Sequence, residues 1–323
     1  MRNAFSDELT KIASERKDVV LLSADIGNKL FDRLKEKAPG RVINTGVAEA
    51  NTIGVAAGLA MSGMRPIAYT ITPFITTRCL EQVRVDLGYH HLPVLIVGVG
   101  AGLGYAELGA THHSCEDISF LRSIPGMTVL CPGDPWEVRS LLRAALSQKG
   151  PVYMRIGKKG EPLVHANIPA LEIGKAFPVH LPEKNSGEGK GSVCILSTGN
   201  TLPLCVETAK SLESQGFRAA AVSFHTVKPL DTAFLKSAFS DYDVVATLEE
   251  HSLIGGFGSA VAEWLADQDH SRASRRASLA RFGTKDEFMH LTGDQEYSRE
   301  HHGITREAME EKIKSVLHPR AGK

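Results

Sequence analysis

One acid stands apart in VINTGVAEANTIGVAAGLAMSG, residues 42–63: Glu49 is the lone carboxylate in a run of small and apolar side chains. Its position on the first turn of a predicted helix, just after a strand ended by Gly46, makes it a group that must be paired if it is buried. The helix face formed by Ala50, Gly54, Ala57, Gly58 and Met61 would let another backbone, a second helix or a flat ligand come close. A tightly packed core helix with Glu49 neutralised by a neighbour satisfies the same pattern, and both readings stand at this point. His90-His91 precedes Pro93 at a predicted helix end, where capping or solvation explains it better than a metal. His112-His113, in GATHHSCED, has no such explanation.

Other chemistries are excluded. Gly98, Gly100, Gly102 and Gly104 follow a strand in LIVGVGAGLGYAELG, but no frame gives G-x-G-x-x-G, so a glycine-rich turn is expected rather than a dinucleotide site. No G-x-x-x-x-G-K-[ST] and no G-x-S-x-G occurs, which removes the P-loop and the hydrolase elbow. Charged residues make up 23% of the 323 and the formal net charge is +0, so neither nucleic acid nor a membrane surface is favoured as a partner. The five cysteines, Cys79, Cys115, Cys131, Cys194 and Cys205, are odd in number and form no C-x-x-C, which argues against a disulfide framework and against zinc. A reducing, cytoplasmic setting is expected. The polar, helical N-terminus has no signal-peptide core, and no run of about 18 apolar residues occurs.

These residues must be positioned by alternating elements. Short apolar runs at 19–22, 66–71, 93–99, 127–130 and 152–156 alternate with amphipathic stretches, which predicts a doubly wound parallel sheet. A half-buried helix is expected over 76–89, with Leu80, Val83 and Leu87 inward, and another after Asp134 as N-cap with Pro135 in its first turn. The hydrophilic EKNSGEGKGS, residues 183–192, reads as a linker before a second, smaller alternating set. The fold class is therefore α/β, with two doubly wound domains.

INTGVAEANTIGVAAGLA resembles the pyrimidine-binding half of transketolases and 1-deoxyxylulose-phosphate synthases, where a V/I-A-E motif presents its acid to thiamine diphosphate. The similarity continues through SAD (23–25), TPFITTRCLEQVR (72–84), GATHHSCEDISFLRSIPGM (109–127), GPVYMRIGK (150–158), FHTVKPLD (224–231) and EEHSLIGGFGSAVAE (249–263) in the family's order. The resemblance implies a pyrimidine-binding domain over 1–165, a linker over 166–190 and a transketolase C-terminal domain over 191–323. It implies that Glu49 bonds N1' of the cofactor's aminopyrimidine, so that the thiazolium ylide forms and carries a two-carbon ketol unit from a ketose to an aldehyde. Phe74 matches the aromatic that packs on the pyrimidine, Arg78 a basic residue of the synthase branch, and Asp25 an acid near the cofactor, and the resemblance implies that all three help to bind it. His112 matches the substrate-facing histidine of G-x-T-H-Q. Lys158, or alternatively Arg155, falls where the family places a cation for the substrate's phosphate.

Three departures bear on function. AELG puts Leu108 where transketolases carry a sugar-binding Asp, and Gly100 stands where the family has a basic residue. No G-D-G, the start of the family's diphosphate and magnesium motif, occurs; GDP at Gly133 and GDQ at Gly293 are no substitutes. The expectation is a split enzyme, in which this C-terminal chain holds no metal and a separate N-terminal chain supplies Mg2+ and the diphosphate site, as a heterotetramer of two plus two chains. Competing expectations are the beta subunit of a 2-oxo acid dehydrogenase, a deoxyxylulose-phosphate synthase-like enzyme and a non-catalytic scaffold paralogue.

Overall fold

The computed structural model describes residues 1–27, 29–182, 190–268, 277–290 and 293–318. The first domain supplies strands β1 (Val19–Ser23), β2 (Val42–Asn44), β3 (Arg65–Ile71), β4 (Leu95–Val99), β5 (Thr128–Leu130) and β6 (Val152–Ile156). The second supplies β7 (Phe177–His180), β8 (Ser192–Thr198), β9 (Arg218–Ser223), β10 (Thr226–Lys228), β11 (Val244–Ser252) and β12 (Ser278–Thr284). They form a seven-stranded sheet in the order β10-β5-β6-β4-β3-β1-β2 and a five-stranded sheet in the order β12-β11-β8-β9-β7. All pairings are parallel except β10 with β5 and β7 with β9. Every residue of β1, β4 and β6 is buried, as expected of parallel strands covered by helices on both faces. The two-domain α/β architecture read from the alternation is the one observed.

Three local features differ from the sequence reading. The single helix expected over 76–89 is a broken succession: Thr72–Ile75, a 3-10 turn Thr77–Cys79, Leu80–Gln82, then a π-helical stretch Val83–Tyr89. Ile75, Thr76 and Thr77 are β-branched in a row, and Thr76 turns its hydroxyl back onto the Thr72 carbonyl oxygen at 2.7 Å, so the α-helix does not propagate smoothly. Val83 and Leu87 are nonetheless buried as expected. The stretch 166–190 is not wholly a linker, because β7 lies inside it as an antiparallel edge strand on β9; residues 183–189 lie outside the described residues. Finally, β10 leaves its own domain to pair with β5 at the edge of the other sheet, with Thr226 opposite Leu130 and Lys228 opposite Val129.

The junction between the domains is polar and buried. Arg155 is fully buried there, donating to both Asp117 carboxylate oxygens at 2.8 and 3.1 Å, to the Ser114 carbonyl at 2.8 Å and to the Glu250 carbonyl at 3.2 Å. Tyr153 donates its hydroxyl to the same carboxylate at 2.5 Å. Burial pushes the Asp117 carboxyl up, but the charges of Arg155 and then His251 more than offset it and leave it below the usual range. The Glu250 carboxylate accepts from Leu103 N–H at 2.8 Å, Asn200 Nδ2 at 3.1 Å and Arg299 Nε at 2.6 Å. Gly102, at φ +57, sits so close that a Cβ there would lie 2.4 Å from the Glu250 carbonyl oxygen. Gly102 thus serves a close approach between the domains.

Candidate active site

The site begins where β2 turns into the helix Glu49–Met61. Asn44 directs that turn: its Nδ2 donates to Asp25 Oδ1 at 2.8 Å, and its Oδ1 accepts from the Asp25 and Gly46 amides at 3.2 and 2.9 Å. Gly46 takes φ 71 and Asp25 φ 54, left-handed conformations that glycine and, less readily, Asp adopt. The hydroxyls of Thr45 and Thr52 meet at 2.7 Å and pin the first turns. Glu49 is held at the helix N-terminus, where the partial positive charge of the free amides favours a carboxylate.

Glu49 is 3% exposed, and its partner is on the same chain: Arg78 Nη1 donates to Oε2 at 2.8 Å. The Arg78 guanidinium also lies over the Phe74 ring, Cζ 4.4 Å from the centroid, a cation–π contact. Phe74 meets His112 edge to face at 5.2 Å between centroids, and His112 meets Tyr105 at 5.9 Å. Lys158 Nζ lies 4.6 Å from the Tyr105 ring centroid and 3.8 Å from Glu107 Oε2. One unbroken string of contacts therefore joins Glu49, Arg78, Phe74, His112 and Lys158.

Two sequence candidates fall outside that string. Asp25 bonds to Asn44 in the turn that precedes the Glu49–Met61 helix. Arg155, which the resemblance offered as an alternative to Lys158 for the substrate's anion, is fully buried in the domain junction, where Nε and Nη2 donate to protein groups and Nη1 has no hydrogen-bond partner among the described residues, so its burial and not its spacing argues against that role. Lys158, two residues beyond the end of β6, keeps its amine partly exposed. Tyr105 is the residue sequence reasoning passed over. A Cβ at position 100 would lie 2.1 Å from its ring, so Tyr105 fills the space that a side chain at Gly100 would need. An aromatic inside a glycine-rich loop that leads to T-H-H was the available signal.

The electrostatics suit proton exchange. Burial, then the charges of His113 and Lys158, push the His112 imidazole below its ordinary value and favour the neutral ring, whose Nδ1 is 2.9 Å from Thr111 Oγ1. Burial, then the Glu49 charge, push the thiol of Cys79 beside the site up to about 12, which favours the neutral thiol over the nucleophilic thiolate. All five cysteines are free. No helix among the described residues is long and apolar enough to cross a membrane. A cleft of about 550 Å³ lined by Lys159, Glu161, Asn200, Arg299 and Arg306, among others, includes none of the string from Glu49 to Lys158. Glu287, His301 and His302 in the second domain have the donor types of a metal site, but His302 Nδ1 already accepts from Lys285 N–H at 3.2 Å.

Residues 1–161 match the family model for the transketolase pyrimidine binding domain, and residues 186–309 that for the transketolase C-terminal domain. The chain is 37% identical to the 6-deoxy-6-sulfo-D-fructose transketolase subunit SqwH of Clostridium sp. (strain MSTE9), over 94% of this chain and 90% of that one. It is 33% identical to an apulose-4-phosphate transketolase subunit of Phocaeicola vulgatus, over 82% and 83% of the two chains. A solved split-gene transketolase, described as an inactive beta4 tetramer, superposes with a TM-score of 0.83 at 31% identity, covering 98% of this chain and 97% of that one.

Proposed function

The chain belongs to the transketolase family, and we propose that it is the pyrimidine-binding subunit of a split transketolase that transfers a two-carbon ketol unit from a ketose with an anionic tail to an aldehyde. One observation carries this reading. Glu49 and Phe74 hold a flat, hydrogen-bond-donating cation between a nearly buried carboxylate and an aromatic face, the two partners an aminopyrimidine requires. The residues present therefore fit thiamine diphosphate at its pyrimidine end.

Thiamine diphosphate, when bound, supplies the carbon nucleophile of ketol transfer. Glu49, itself 3% exposed, would hold a ring nitrogen and share its proton, its burial strengthening such a bond. Phe74 orients the ring by stacking. His112, favoured neutral, takes or gives a proton at a substrate hydroxyl. Lys158 faces the anionic end of the sugar, and Tyr105 and Leu108 narrow the loop around it where the family's basic and acidic side chains are missing. The relatives named for apulose-4-phosphate and for a sulfonated fructose support an anionic tail without choosing between phosphate and sulfonate.

The diphosphate and its Mg2+ belong, on this reading, to an N-terminal partner subunit, in a heterotetramer of two plus two chains in the cytoplasm. The exposed face of the Glu49–Met61 helix, with Val47 just before it, supports such docking: Val47 and Met61 are 74% and 60% exposed, and open space lies over Gly54 and Gly58. The test is reconstitution. The purified chain should transfer no ketol unit until a diphosphate-binding partner is added, and Glu49→Ala in the complex should abolish turnover. Activity of the chain alone would overturn the split reading, and unchanged turnover in Glu49→Ala would favour a scaffold.

A further inference from the structure

We propose that Arg78 is a resident stand-in for the cofactor's aminopyrimidine, filling the slot between Glu49 and Phe74 until the cofactor displaces it. The inference rests on the reading that the pyrimidine binds at Glu49. It reverses the simpler expectation that Arg78 helps to hold the cofactor.

A guanidinium resembles the aminopyrimidine in its N1'-protonated form, which is a flat cation that donates to a carboxylate. A guanidinium is planar, delocalised and donor-only, and it both stacks on aromatic faces and donates along its edge to carboxylates. Arg78 does both at once, with Nη1 2.8 Å from Glu49 Oε2 and Cζ 4.4 Å from the Phe74 centroid. A flat ring bonded to the same carboxylate and stacked on the same phenyl would claim the same volume. The two occupants exclude each other.

Arg78 is also built to leave. Its side chain is 48% exposed, whereas Glu49 is shielded, so the guanidinium reaches in from solvent. Among the described residues Glu49 is its one hydrogen-bond partner. It is carried by the 3-10 turn Thr77–Cys79, between the broken helical segments, and not by a regular helix. The arrangement solves a problem that the cofactor creates when it is absent: a buried carboxylate selected for a ring nitrogen would otherwise be left unpaired. Arg78 satisfies it with a pair weakened by water at its outer side.

Equilibrium binding of thiamine diphosphate with Mg2+ to the reconstituted complex, followed by titration calorimetry, tests this without reference to turnover. Removing a competitor worth a half-exposed ion pair should tighten cofactor binding by roughly two- to fivefold in Arg78→Gln. Arg78→Lys, which keeps the charge but not the planar stack, should fall between wild type and Arg78→Gln. Glu49→Gln should weaken binding whichever residue stands at position 78. Unchanged or weaker binding in Arg78→Gln, with Glu49→Gln still damaging, overturns the stand-in alone. If neither substitution alters binding, the pyrimidine does not sit at Glu49 and the functional reading falls with it.

Discussion

Replacing Arg155 with Met would distinguish the structure's account of this residue from its place in the sequence pattern. The side chain is fully buried and makes four hydrogen bonds, two to Asp117 and one each to the carbonyls of Ser114 and Glu250. Met approximates its length but leaves Asp117 charged and buried with the Tyr153 hydroxyl as its remaining donor from that group. Removing one partner of a buried ion pair costs about 3–5 kcal/mol, and two carbonyls losing donors cost of order 1 kcal/mol each. A total near the top of that range would be a large part of the roughly 5–15 kcal/mol that typically holds a domain folded. Urea unfolding should therefore show a midpoint lower by about 1 M or more in Arg155→Met. The double variant Arg155→Met with Asp117→Asn should regain part of the loss, because the unpaired charge is gone. A loss below about 1 kcal/mol, or a stable variant whose one defect is a raised KM for sugars with an anionic tail, would refute the reasoning and return Arg155 to the substrate pocket.

Two further outcomes follow from the string of contacts around His112. Lys158→Met should raise KM for donors with a phosphate or sulfonate tail by about tenfold and leave an uncharged ketose unaffected, measured by steady-state kinetics of the complex; an equal effect on both donors would deny Lys158 the anion. If the neutral His112 ring is the active form, the acid limb of kcat/KM should lie below the ordinary imidazole value of 6.5, since burial and the charges of His113 and Lys158 disfavour its protonation. Activity is then fully present above the limb and lost as pH falls through it. His113→Ala should move the limb upward by removing one repelling charge; a limb that stays in place or moves down would contradict this assignment.

The legible part of the molecule was what local pattern and residue type encode. Buried parallel strands announce themselves as apolar runs, and Val152–Ile156 was found to the residue. Glu49, Phe74, Arg78 and His112, singled out by residue type and order along the chain, do lie together in one string of contacts. What failed depended on partners distant in sequence. Arg155 was ambiguous because Asp117, which claims it, lies 38 residues away on another element. A lone Arg in the middle of a buried strand already argued for an internal partner, and that signal outweighs a match by spacing. The Glu49–Arg78 pair joins groups 29 residues apart, so the acid's in-chain neighbour could only be entertained as an unspecified one. β10 is three residues long and borrows its register from the other domain, which leaves no periodicity to read.

That three-residue strand has a consequence for how such a chain can be divided in evolution. Without β10, β5 would become a bare sheet edge, with its peptide groups open to pairing with other chains. Lys228, at the end of β10, also donates to the Arg122 and Ile124 carbonyls at 2.9 and 2.6 Å, covering the end of the helix Asp117–Ser123. The two domains are thus stitched by the backbone itself, and a gene broken between them would express an amino-terminal half prone to clumping. Domain shuffling should accordingly treat the pair as one heritable cassette, and a library of random gene breaks selected for soluble protein should be depleted of cuts between β6 and β10.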